Sequence, residues 1–184
     1  MDGILFGSML LWLAIVSWFD IRKGEIPHSA WVLLPLAVAS VYRVTQGGWQ
    51  LVLWVGIISI ASERKRLAGS LKIAGMEKIP AWIPLLIAGF SLANQVSTVM
   101  ALAFSGFWLA WELGWWGGAD AVSAMVIGLI LPGWAYLLAF LATHFIVVLC
   151  LGGHALIRKR KPAPNRLPGL PILLATAIIL LVLF

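Results

Sequence analysis

The chain has 184 residues, 62% of them hydrophobic and 11% charged, with mean hydropathy +1.01. Soluble domains run at about 45–50% apolar and about 25% charged. A water-soluble fold of this size cannot hide so much apolar surface, and the length allows one domain, residues 1–184. Thirteen Lys and Arg stand against seven Asp and Glu, a net charge of +6. These cations fall in short clusters between apolar runs, which is the pattern of cytoplasmic membrane loops rather than of a nucleic-acid surface. One cysteine, Cys150, excludes a disulfide framework and a cysteine zinc site.

The N-terminal stretch MDGILFGSMLLWLAIVSW has no basic segment ahead of its apolar run. It therefore reads as a first membrane span rather than a cleaved signal peptide. A crossing helix needs about 20 residues. The first run, residues 4–19, ends at Asp20; the second, 29–42, stops at Arg43 and the turn-like Thr45-Gln46-Gly47-Gly48; the third, 49–62, runs into Glu63-Arg64-Lys65-Arg66. The stretch 79–113 is too long for one crossing and breaks at Asn94-Gln95 into 79–93 and 96–113. Likewise 120–151 breaks at Pro132-Gly133, where proline removes a backbone donor and glycine loosens the chain. A last run covers 169–184. The expectation is an all-α, polytopic transmembrane helical bundle of about eight spans, the sixth being the shortest, with six and seven as the alternative counts.

Charge placement decides between these counts. With the N-terminus outside and eight crossings, Arg22, Lys23, Arg64, Lys65, Arg66, Lys72, Lys78, Arg158, Lys159, Arg160, Lys161 and Arg166 are all cytoplasmic and only Arg43 is outside. Fusing either long stretch puts a basic loop on the wrong face. The predicted location is a multi-pass protein of the cell membrane. Leu67, Leu71 and Ala74 stand at helical spacing among basic residues. That loop suits either an interfacial helix on anionic lipid or a solvated segment that sets topology. The 11 tryptophans suit aromatic belts at the two interfaces.

Acids are scarce, so each can be weighed. Asp2, Glu25, Glu63 and Glu77 lie in loops or at the terminus, and Glu112 ends the fifth span as an interfacial carboxylate. Asp20 and Asp120 stand at the cytoplasmic ends of the first and sixth spans, and an ionisable group at membrane depth is a functional candidate. Two aspartates brought together share one proton: the ionised one activates water as general base, and the protonated one hydrogen-bonds the scissile carbonyl. Plainer roles stay open beside this. Asp20 can mark the exit of the first helix, and Asp120 can be the N-cap of the sixth. His28 suits the first turn of the second span, or tunes the pair. His144, inside the seventh span, suits an inter-helix hydrogen bond, and His154 lies in a loop. No trio of ligands stands at metal spacing, so no metal and no other cofactor is expected.

Two local patterns sharpen the choice. Asp20-Ile21-Arg22-Lys23-Gly24-Glu25-Ile26-Pro27 resembles the D-x5-IP signature of the prepilin and preflagellin peptidases, and Gly117-Gly118-Ala119-Asp120, followed by Leu131-Pro132, resembles their GxGD-type motif. Leu167-Pro168-Gly169-Leu170-Pro171 is similar to the proline-rich start of the family's final helix. The resemblance implies that Asp20 and Asp120 are a catalytic pair facing the cytoplasm. It implies cleavage of the short basic leader from type IV pilin-like membrane precursors, which are the expected partners along with membrane lipid. Gly117, Gly118, Pro27 and His28 would then meet the substrate, the glycines by letting backbone approach closely; close helix packing or a flexible helix start is the plainer role of the two glycines. Ala119 stands where the motif has glycine, Val122 where a lysine is common, and His28 where asparagine is common; these bear on substrate preference. One cysteine leaves no room for the paired CxxC motifs of the bifunctional members, so the chain resembles the compact, peptidase-only form.

Two rival readings remain at this level. A presenilin-like intramembrane protease would use the same pair to cut within helices, though Ile26-Pro27 favours the pilin-type reading. A non-enzymatic transporter or assembly subunit would carry two membrane carboxylates, but such folds show inverted repeats and midplane acids, whereas these acids lie at one face.

Overall fold

The computed structural model of the chain describes residues 3–23, 29–62, 98–157 and 169–183, and all regular structure among them is helical. In chain order these are α1 (Gly3–Lys23), a π-helical turn (Ser29–Leu33), α2 (Leu34–Thr45), α3 (Trp49–Ser62), α4 (Thr98–Glu112), α5 (Gly118–Ile130), α6 (Trp134–Ile157) and α7 (Gly169–Leu183). The expected run 79–93, the basic loop 63–78, and Pro27 and His28 lie outside the described residues. Among the described residues, Gly3–Arg22 is the one helix long and apolar enough to cross a membrane, with 20 residues at hydropathy 1.9. Trp31–Thr45, Trp49–Ser62, Gly118–Ile130, Trp134–Val147 and Gly169–Val182 are apolar but shorter.

Breaks fall where the local chemistry requires them. Gly47, at φ 76°, reverses the chain between α2 and α3, and Gly133, at φ 143°, does so between α5 and α6; both lie in a region that side-chain-bearing residues rarely adopt. Pro35 explains the π turn. A proline inside a helix cannot bond the carbonyl four residues back and its ring crowds that carbonyl. Trp31 O, the group concerned, instead accepts a 2.8 Å hydrogen bond from Trp12 Nε1 of α1. The second apolar run is therefore helical but wider in its first turn than expected. His154, expected in a loop, lies within α6.

α5 is the centre of the bundle. It packs against α2, α4 and α7, while α1 and α6 pack on α7. From Asp120 to Leu129 every residue except Val122 is buried, as expected for a helix that is apolar all round. Phe104, Ala124, Ile127, Leu173 and Ala177 are fully buried in one continuous core. Side-chain donors tie neighbouring helices: Trp54 Nε1 reaches Ala101 O at 3.1 Å, and Tyr136 Oη donates to Ala124 O at 2.8 Å. Large apolar side chains such as Ile4, Leu11, Val41, Leu102, Phe145 and Val182 face outward.

Candidate functional site

Three sets of contacts establish which helix ends meet. The Phe19 and Trp31 rings lie 5.9 Å apart, centroid to centroid. Further back along α1, Leu5, Ser8 and Met9 share a cavity with Leu34, Pro35, Val38 and Ala39. As numbering falls along α1 it rises along the segment from Trp31 to Ala39, so the two are antiparallel. Leu36 shares a cleft with Gly118, Ala121, Val122 and Met125, whereas Val38 and Ala39 meet Val126 and Ile130. So α2 and α5 run parallel, and α1 and α5 antiparallel. Asp20, near the last turn of α1, is thereby at the same end of the bundle as Asp120, in the first turn of α5.

Asp20 continues an inward stripe. Phe6, Met9, Leu13 and Val16 are buried at three- and four-residue spacing along α1, which is one helix face. Asp20, half-buried, is the next position of that register. Ser17, 4% exposed, lies on the same side one turn earlier.

Asp120 is 7% exposed. The N-cap of α5 is Gly117, so Asp120 is not the N-cap that the sequence suggests but the third helical residue. Its Oδ2 accepts the Gly117 N–H at 3.0 Å, which satisfies an otherwise orphaned donor and sets a negative group at the positive end of the helix. The carboxyl also meets α7: a Cβ built on Gly169 would come within 2.7 Å of Oδ1. Of the two motif glycines, Gly117 therefore holds Asp120. Gly118 turns the other way, where a Cβ would be 3.2 Å from Trp111 Nε1, in the cleft shared with α3 and α4.

An aromatic cluster fixes the segment leading into the motif. Trp116 stacks on Phe107 at 5.8 Å and 20°, meets Phe140 edge-on at 5.6 Å, and lies 5.3 Å from the His144 ring. His144 Nδ1 pairs with Phe140 O of its own helix at 2.9 Å, in place of the expected inter-helix bond. Trp115 is exposed. Trp116 thus braces the approach to Gly117.

Two residues at this end pack around the Asp120 turn in ways that their sequence context did not announce. Gly169 sits in a segment noted only for its prolines, and Trp116 next to a second tryptophan. Each depends on which helices pack together, which local patterns do not encode. Among the described residues, no three His, Cys, Asp or Glu side chains are grouped to hold a metal ion. No family model, no curated protein and no solved structure matches the chain.

Proposed function

We propose that the chain is a membrane-embedded aspartic endopeptidase of the prepilin-peptidase type, a single multi-pass domain that removes the short basic leader of pilin-like precursors at the cytoplasmic face. The observation that supports it is that Asp20 and Asp120 stand at the same end of the bundle, by the antiparallel run of α1 and α5. Embedding in lipid is supported by the composition and by the outward-facing Ile4, Leu11, Phe145 and Val182, since a solvated surface rarely carries so many large apolar side chains. About eight crossings, N-terminus outside, remain the topology that best sorts the charges.

In this reading the ionised aspartate takes a proton from a water whose oxygen bonds to the scissile carbonyl carbon. The protonated partner hydrogen-bonds the carbonyl oxygen as it gains charge. The tetrahedral intermediate then collapses, the C–N bond breaks, and the leaving amine takes a proton from the pair. Close packing of Gly169 and Gly117 around Asp120 holds one carboxyl in a fixed orientation, as positioning catalysis requires.

The experiment is co-expression with several class III pilin precursors, with leader removal read by gel shift. Wild type is expected to process at least one precursor, and Asp20→Asn and Asp120→Asn, at matched membrane levels, to process none. Cleavage that survives both substitutions overturns the reading.

A further inference from the structure

We propose that the Ser17 hydroxyl is a positioning group for Asp20, donating a hydrogen bond to its carboxyl in the working enzyme; this rests on the peptidase reading above. Ser17 is 4% exposed, and among the described residues its Oγ has no hydrogen-bond partner. That is unusual within this molecule. Ser59, Ser105, Thr143 and Thr176 each donate to the carbonyl four residues back, at 2.6–3.0 Å. Helical hydroxyls commonly make that bond. Ser17 has the same opportunity with Leu13 O and leaves it unused.

Its place gives the unused donor a target. Ser17 precedes Asp20 by three residues on α1, and side chains at that spacing stand about 5–6 Å apart at Cβ on one helix face. Both residues lie on the inward side, continuing the Leu13 and Val16 stripe. α1 packs along α7, whose first residue, Gly169, abuts Asp120. A hydroxyl rotating about χ1 toward Asp20 would thus fix one carboxyl of the pair from below, as the Gly117 N–H fixes the other. A buried hydroxyl without a partner costs stability. A buried donor left unpaired one turn from a proposed reacting side chain is the pattern of a functional trade-off.

The cost and the function make opposite predictions for one substitution, and this separates the proposal from a packing role. The full chain, purified in detergent with a precursor that it cleaves, is compared as wild type, Asp20→Asn, Ser17→Ala and Ser17→Thr. Ser17→Ala is expected to lower kcat about tenfold, the worth of one hydrogen bond to a charged group, with KM unchanged and Tm unchanged or raised. Ser17→Thr, which keeps the hydroxyl, is expected to restore most of kcat. Wild-type kcat in Ser17→Ala while Asp20→Asn is inactive overturns the proposal and leaves the peptidase reading standing. A kcat loss that tracks a fall in Tm and is not recovered by Ser17→Thr also overturns it, in favour of packing. Full cleavage by Asp20→Asn overturns the peptidase reading, and the inference falls with it.

Discussion

Gly169, the first residue of α7, lies so close to the Asp120 carboxyl that a Cβ on it would sit 2.5 Å from Asp120 Cγ. Asp120 has little freedom to give way, because its Oδ2 is held by the Gly117 N–H and the residue is 7% exposed. Gly169→Ala should therefore lower stability by about 1–3 kcal/mol, as overpacking does. At an unconstrained helical site the same change is favourable by up to about 1 kcal/mol. A fall in Tm together with loss of leader cleavage is the expected result; a Tm at or above wild type shows that α7 can move aside.

Asp120 has a structural and a chemical duty, and two substitutions divide them. Asparagine keeps an acceptor for the Gly117 N–H and so should cost no more than about 1 kcal/mol, the upper worth of a charge at an exposed helix N-terminus. Alanine leaves that donor orphaned, at about 1.5–3 kcal/mol. Both variants should be inactive in the cleavage assay, with Asp120→Ala clearly the less stable in thermal melts. Equal stability of the two would mean that the cap bond contributes nothing.

Much of this fold can be read from runs of apolar residues between breakers. Gly47 and the Pro132-Gly133 pair end helices where their backbone chemistry requires it. Asp20 and Asp120 stand out because acids are rare in such a sequence, and the assignment to helix ends needs only the charge pattern. What the sequence hides is lateral. Pro35 announces a disturbed turn, but not that Trp12 from another helix takes the freed Trp31 carbonyl. Gly118 reads like Gly117 in the motif, yet as the first helical residue it stands about 200° around α5 from Asp120, at about 100° per residue, and faces Trp111 on the far side. His144 offers no hint that it pairs within its own helix, since either partner satisfies the ring equally.

Trp116 should matter more to the site than its exposed neighbour Trp115. Its ring is held by Phe107, Phe140 and His144, and it directly precedes the residue that holds Asp120. Trp116→Ala is expected to destabilise by about 3 kcal/mol and to depress cleavage further than its loss of folded protein explains. Trp115→Ala is expected to leave both unchanged. Similar Tm values for the two variants would remove the aromatic brace from the account.

Gly128 supplies a comparison remote from the aspartates. A Cβ there would lie 2.6 Å from Phe104 Cε1 and 3.0 Å from Met100 Cε, across the α4–α5 contact. Gly128→Ala should cost about 1–3 kcal/mol through overpacking, with kcat per folded molecule unchanged. Since Gly128 lies more than two turns along α5 from Asp120, a selective loss of kcat would mean that α5 transmits displacement along its length to the carboxyl.

α3 gives the most demanding test of the topology. Its 14 residues rise about 21 Å at about 1.5 Å each, short of a hydrocarbon core of about 30 Å. If it nevertheless crosses, its flanks face opposite compartments. Cys150 is the single cysteine and is exposed, so Cys150→Ser provides a background without thiols. In that background Gln46→Cys, in the exposed α2–α3 turn, should react with an impermeant maleimide on intact cells. Arg64→Cys, just beyond α3, should react only after permeabilisation. Labelling of both from one side would make α3 a helix that does not cross. The reverse pattern would put the Asp20 and Asp120 end of the bundle outside the cell, away from any leader presented at the cytoplasmic face.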